Sequence, residues 1–487
     1  MKTAFAWAVV ISELTFAPFA FPGTCHAEES RGGSKLIAAD FHALRQCCAT
    51  LGEELPRLRR WAKTKEDQQL VRQCEALVQR GGSLRLAGAG AQIASLKREA
   101  AAKLARARLV LKCDLHNVTV GERSRPDHDI LSSSLYGPAA GQLVAAYREC
   151  VYKSDAVVES SRTVYMVSCD EGLTWQPYRQ PGDGQRKSPR TDQRGPGGTV
   201  SSLNQAAVLP PDGKTRIEAF SYGWENHPES DRAQLEAKGF YIFDHKEGNV
   251  PGVLSIDYRV GMRRSRDGGA TWETKEIKLP CFLPDLRPHM RGIALRDGTY
   301  LYPMYGRYNV KKEKLVSSLV LRTTDGGDHW QIHTIAKATA VNFDETSLVE
   351  AANGDVVAVI RTDPNQTMLW QAISKDGGKT WSEARESGMR GSVPFCVRTS
   401  DGCLVCIYGR REKRIFPNGT GMYAGVSKDH GHTWQNLCLE DCGSQFVDSY
   451  AQAVALPNGK VFTVYTAFRN GRSSSCGTLF TPSRAVD

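Results

Sequence analysis

The chain has 487 residues, 63 Lys and Arg against 53 Asp and Glu for a net charge of +10, 14 cysteines and a hydrophobic fraction of 41%. Such a length asks for two or three domains or one large repeat-built domain, and the ordinary globular composition excludes a disordered chain, a collagen-like chain and a multi-span membrane protein. The charge is uneven: residues 28–126 hold 19 basic and 11 acidic side chains, so the surplus reads as solvated helix faces on an appendage rather than as a property of the main body.

Residues 1–27 read as a secretory signal, with Lys2, an apolar stretch interrupted by Glu13, and Cys25-His26-Ala27 ahead of a cut before Glu28. No later stretch approaches the roughly 18 consecutive apolar residues of a membrane span. An exported protein without a transmembrane segment is therefore expected. Export permits disulfides, yet loss of Cys25 leaves 13 cysteines, an odd number. Cys403 and Cys406 lie three apart in the strand-like run CLVCIY and so point to opposite faces. Cys438 and Cys442 flank a turn and are the candidate pair. No zinc pattern with a second ligand pair is present.

From Ser34 to about Cys113 the sequence is helix-like, with QQLVRQCEALVQR followed by AQIASLKREAAAKLARARLVL. Gly81-Gly82 and the run Gly88-Ala89-Gly90 divide it into two or three helices. The expected organisation is a signal over 1–27, a helical segment over 28–113 and an all-β domain over 114–487.

From about Leu115 the texture changes to short β-branched and aromatic runs, and two signals repeat. One is a strand-turn-strand unit, present six times, whose glycines are Gly141, Gly213, Gly298, Gly354, Gly402 and Gly459; Asp or Asn precedes five of them, the tight-hairpin pattern. The other follows each of the first five units: SCDEGLTW, SRDGGATW, TTDGGDHW, SKDGGKTW and SKDHGHTW, carrying Asp170, Asp267, Asp325, Asp376 and Asp429. In this turn Asp and Ser/Thr bond nearby backbone N–H groups, Gly supplies positive φ and Trp anchors the loop. Five identical rim turns cannot all stand at one centre, so these carboxylates are structural. Six such units read as a six-bladed β-propeller, the sixth blade borrowing the strand around Leu115–Val120 to close the ring. The interval from Asp212 to Ser265 is about twice the usual one, which places an insertion, FSYGWENHPESDRAQLEAKGF, in blade two as a lid or as decoration.

Ligands of a propeller bind at one mouth of the central channel, where every inner strand contributes at the same register. Counting eight residues to either side of each hairpin turn pairs Glu345 with Arg361, Tyr450 with Thr466, Ser132 with Arg148, His289 with Tyr305, Asn204 with Phe220, and Val393 with Gly409, beside Arg410 and Arg411. A ring this polar marks a site.

Five Asp boxes on a six-bladed propeller resemble the sialidase (neuraminidase) superfamily over about residues 115–480. FDETSLVEAANGDVVAVIR resembles the segment in which a glutamate, here Glu345, precedes a substrate-binding arginine, here Arg361, by sixteen residues. DSYAQAVALPNGKVFTVY resembles the segment carrying the nucleophilic tyrosine, here Tyr450, and Asp155, ahead of the first Asp box, resembles the loop acid/base. The resemblance implies an exo-α-sialidase type of glycoside hydrolase acting on glycoconjugates, with no cofactor, metal or nucleic-acid partner. A phenol deprotonated by a paired Glu suits an anionic sugar, which would repel a carboxylate nucleophile, and an arginine fork suits the sugar's carboxylate. The chain departs from the family in HDILSSSLYG and GTGMYAGVS, which lack expected arginines, and in Thr466, which stands where a glutamate is usual. Arg148, Arg291, Arg410 and Arg411 are the candidate replacement cations, with His289 and Tyr305 as further substrate contacts. The alternatives are a non-catalytic carbohydrate-binding propeller and a glycosidase for another acidic or deoxy sugar.

Overall fold

The structure, a computed structural model, describes residues 28–84, 90–139, 142–154, 157–178, 207–208, 214–221, 225–238, 242–243, 253–256, 260–268, 270–279, 286–288, 291–309, 312–363, 368–410, 420–443, 447–469 and 472–485. The expected signal lies outside them.

Three helices lead the described chain: α1 (Glu28–Trp61), α2 (Lys65–Ser83) and α3 (Gly90–Cys113). The α1–α2 break carries a signal that glycine and proline counting misses. Thr64 and Asp67 cap the start of α2 reciprocally, the Asp67 amide donating to Thr64 Oγ1 at 3.0 Å and the Thr64 amide to Asp67 Oδ2 at 3.0 Å. Contacts divide the chain into two compact units, one reaching to Glu53 and including Cys74–Leu104, the other comprising Glu54–Gln73 and Ala105–Asp487. The first buries Leu44, Cys48, Leu51, Leu77 and Ile93 completely or nearly so, and ion pairs Lys97–Asp40 and Arg80–Glu99, both 2.6 Å, span its surface.

The second unit is a six-bladed propeller. Blades one, two, four and five are four-stranded antiparallel sheets in simple chain order, Ala207–Val208 being the first described strand of blade two, and blade three adds a short extra pairing. Blade six closes the ring as expected: its three C-terminal strands are completed by His116–Glu122, which pairs antiparallel with Arg472–Phe480. The blade-two insertion folds into a small three-stranded sheet, with Val253–Ile256 between Glu225–Pro228 and Ile242–Phe243, and a short helix, Arg232–Ala237.

The Asp boxes act between blades. In blade four, Asp376 accepts from the Thr380 amide at 2.9 Å and hydroxyl at 2.6 Å and from Ser374 Oγ at 2.8 Å, while Trp381 Nε1 donates to the Gly378 carbonyl. Gly378 has φ +86, and a Cβ there would lie 2.9 Å from Leu301 of blade three. The preceding blade also reaches across: Arg264 donates to the Gly326 carbonyl, Arg322 to Gly377 and Gln371 to Gly431. The boxes of blades three, four and five are thus clasps onto their neighbours, and the apolar cores lie between blades, as with Tyr302 and Leu319 of blade three packed with Ile217 and Met262 of blade two.

Candidate active site

Inner strands enter the ring at one mouth, and among the described residues five of them depart there from regular pairing. In blade four Phe343 faces Thr362 and Thr346 faces Ile360, so Asp344 and Glu345 both stand against Arg361. In blade six Asp448, not Tyr450, faces Thr466, and Ser449–Ala451 bulge against Tyr465. In blade one Leu131 rather than Ser132 faces Arg148, and in blade five Ser392 rather than Val393 faces Gly409, with Val393 at φ +54. In blade three Arg287 faces Tyr305. Bulges re-aim side chains and gather beside sites, which is why pairing arithmetic drifts by one or two residues at the mouth while staying correct below it.

The bulges of blades four and six bring their side chains together. The Tyr450 hydroxyl donates to Glu345 Oε1, Arg361 Nη1 donates to Glu345 Oε2 at 2.7 Å, and Arg361 Nε lies 4.0 Å from Asp344 Oδ2. Asp344 also accepts from the Glu345 amide at 2.7 Å. Both carboxylates are buried, Glu345 5% and Asp344 8% exposed, so their negative charge is felt strongly. Burial pulls the Arg361 pKa down, but Glu345 and Asp344 outweigh it and hold the guanidinium above its ordinary value. Tyr305 belongs to the same cluster: burial raises its phenol pKa, Arg287 opposes the rise through a hydrogen bond and its charge, and Glu345 and Asp344 add to it.

Of the residues singled out from sequence, Glu345, Arg361, Tyr450 and Tyr305 converge. Asp155, His289 and Arg411 lie outside the described residues. Arg148 stands on the second strand of blade one opposite Leu131. Arg410 has its guanidinium 4.0 Å from the Tyr423 ring centroid and donates to the Arg390 carbonyl within blade five. Arg291 lies over Phe395 and lines a cavity with Ala455 and Glu350. The five Asp-box carboxylates bond their own turns. Asp344 and Arg287 were missed; the adjacent carboxylates in FDETS and the arginine two residues before His289 would have identified them had the bulges been counted. Cys438 and Cys442 share one strand, Gln435–Gly443, and are free thiols. In the segment HDILSSSLYG, Ser133 Oγ is 3.3 Å from Thr466 Oγ1 and 2.9 Å from Ser475 Oγ, a buried cluster of neutral hydroxyls.

A family model for the BNR repeat-like domain matches residues 245–463. The chain is 28% identical over 192 residues to a sialidase of Bacteroides fragilis (strain YCH46), covering 36% of this chain and 33% of that protein. It is 23% identical over 250 residues to a sialidase of Micromonospora viridifaciens, covering 46% and 37%. The chain thus spans about a third of the length of the curated relatives it matches. The crystal structure of a protein of unknown function from Dyadobacter fermentans DSM 18053 is similar at a TM-score of 0.52 and 20% identity, over 76% of this chain and 99% of that one. Fold and repeats together define a BNR-repeat, six-bladed propeller. In these repeats and over these segments the chain is similar to sialidases.

Proposed function

We propose that the protein is an exported glycoside hydrolase of the sialidase type, cleaving terminal acidic sugars from glycoconjugates. One observation carries this reading: a tyrosine hydroxyl hydrogen-bonded to a buried glutamate whose second oxygen is held by an arginine. Tyr450 attacks the anomeric carbon as Glu345 takes the phenolic proton, and the bond to the leaving oxygen breaks as Asp155 protonates it. Asp155 then takes a proton from water, which attacks the tyrosyl-linked carbon; the phenolate leaves and recovers its proton from Glu345. Configuration is retained over the two displacements. Arg361, with five donors in a planar fork, grips the sugar carboxylate.

Turnover of a fluorogenic sialoside is the direct test. The wild-type protein is expected to release the fluorophore and Glu345→Gln to lose about 10²- to 10⁴-fold, the range of a general acid–base contribution. Wild-type turnover no faster than that of Tyr450→Phe would sink the proposal. The neutral Ser133–Thr466–Ser475 cluster favours a second reading, a glycosidase for another acidic or deoxy sugar, because a site with fewer cations makes fewer charge-assisted bonds to a carboxylate. Product analysis on mixed acidic polysaccharides separates the two. Glycan binding that survives both substitutions without any turnover would instead identify a carbohydrate-binding propeller.

A further inference from the structure

Deeper in the channel the inner strands wall a second chamber. Its volume is about 480 Å³, and it lies between the later halves of the inner strands of blades four, five and six and the segment Arg291–Ala294. Its nearest wall residues on these strands, Leu348 and Ala453, are three residues beyond Glu345 and Tyr450, about 10 Å along each strand at 3.3 Å per residue. The chamber is therefore separate from the Tyr450–Glu345 contact.

Most of its lining residues are apolar in type, Val349, Val397 and Val454 among them, while polar atoms make up about half of the exposed wall. Two guanidinium groups stand in it. Arg291 rests 5.7 Å from the Phe395 ring centroid and, among the described residues, makes no hydrogen bond or ion pair. Arg398 donates through Nη1 to the Ala351 carbonyl at 3.1 Å, and the rest of its fork has no partner among the described residues. The chamber's carboxylate, Glu350, is already engaged on both oxygens by Arg296, through Nε at 3.0 Å and the backbone amide at 3.2 Å. Positive charge consequently exceeds negative around the chamber. Burial presses on Arg291, lowering its pKa from the ordinary arginine value, as expected of a cation held among apolar groups without a counter-ion.

We propose that this chamber is an anion site for a small organic carboxylate with an apolar body, bound by the Arg291 and Arg398 forks and lined by the valines. A guanidinium left without an anion in an apolar setting is costly, and an entering carboxylate supplies the missing partner in bidentate geometry. Hydrophobic contact with the valines gives an organic acid an advantage that inorganic phosphate lacks. The proposal does not depend on the catalytic reading of the mouth.

Calorimetric titration of the full-length protein with benzoate, and separately with inorganic phosphate, tests it. Benzoate is expected to bind saturably and at least tenfold more tightly than phosphate. Arg291→Met is expected to weaken benzoate at least tenfold and Arg398→Met severalfold, while Arg361→Lys at the mouth leaves it within twofold. Arg291→Met removes a cation without a partner, so its melting temperature without ligand is expected to match or exceed that of wild type. If Arg291→Met fails to fold, Arg398→Met and Ala455→Leu, which narrows the chamber, carry the comparison. Absence of saturable benzoate binding overturns the site, as does binding lost in Arg361→Lys but kept in Arg291→Met. Phosphate binding as tightly as benzoate overturns the assignment to an organic acid.

Discussion

Glu345 is fixed at three points: the Tyr450 hydroxyl on one oxygen, Arg361 on the other, and its own amide bonded to Asp344. A planar fork is needed for such a contact, and lysine offers only a point charge. Arg361→Lys is therefore expected to lower kcat/KM for an acidic glycoside about 10- to 100-fold, since a charge-assisted hydrogen bond is worth about 1.5–3 kcal/mol; steady-state kinetics on the fluorogenic sialoside check it. A second residue-scale prediction concerns stability. His116 is fully buried, stacked 5.0 Å from Trp61, with Nδ1 2.7 Å from Asp67 and Nε2 3.1 Å from Asp114, which Lys460 also contacts at 3.1 Å. Burial works against the charged imidazole, but the two carboxylates outweigh it and raise the pKa, while the hydrogen bond to His116 leads in lowering that of Asp114. A raised histidine stabilises the fold below its unfolded pKa of about 6.5 and loses that contribution as pH rises through the folded value; a depressed aspartate contributes above about 3.9 and loses its share as pH falls. The cluster is therefore strongest between about pH 4 and 6.5. His116→Gln is expected to lose about 3–5 kcal/mol at pH 6, the usual result of removing one partner of a buried pair, and to show a flatter melting temperature than wild type from pH 6.5 to 9 by scanning fluorimetry. The Asp67 partner of His116 was not legible in the sequence, because it is 49 residues away and no local spacing joins the two.

At the scale of the element, the hairpin turns and the bulges had opposite fates. Turns are local chemistry, a glycine at positive φ after Asp or Asn, so the six units and five boxes could be read directly. Counting outward from a turn is sound only while the ladder is regular, and it paired Glu345 with Arg361 because the one extra residue in that strand falls on its neighbour Asp344. It failed for Arg287, because the register slips between the Pro288–Met304 and Ile293–Leu301 pairs and no composition signal marks such a slip. The boxes were read as self-contained turns; their grip on the preceding blade needed the structure, since Gly378 and Leu301 are brought together only by the ring. Gly378→Ala should therefore destabilise through both the left-handed backbone and the 2.9 Å contact, by about 1–3 kcal/mol in urea unfolding, with KM for any substrate unchanged because the box stands on the rim.

For the whole molecule, closure of the ring depends on one seam. His116 faces Leu479 and Glu122 faces Ser474 across it, and the Thr481 amide adds a bond to the Cys113 carbonyl at 2.7 Å. A chain ending at residue 471 keeps five blades and two strands of the sixth, but leaves Val118, Val120 and Phe462 without the strand that covers them. Such a protein is expected to lose the cooperative thermal transition of wild type and to bind a hydrophobic dye at room temperature; a normal transition would refute the account of the seam.

That seam also sets an order of events in time. Pairings between distant parts of a chain form slowly, because the loop between them must be closed before the contact is rewarded. Blades three to five can assemble from neighbours as the polypeptide emerges, whereas blade six waits for Arg472–Phe480 to be made and to find the strand at 116–122. Tyr450 is carried by that blade and Glu345 by an earlier one, so their hydrogen bond is a product of the final folding step, and a nascent or incompletely closed chain holds the tyrosine without its partner.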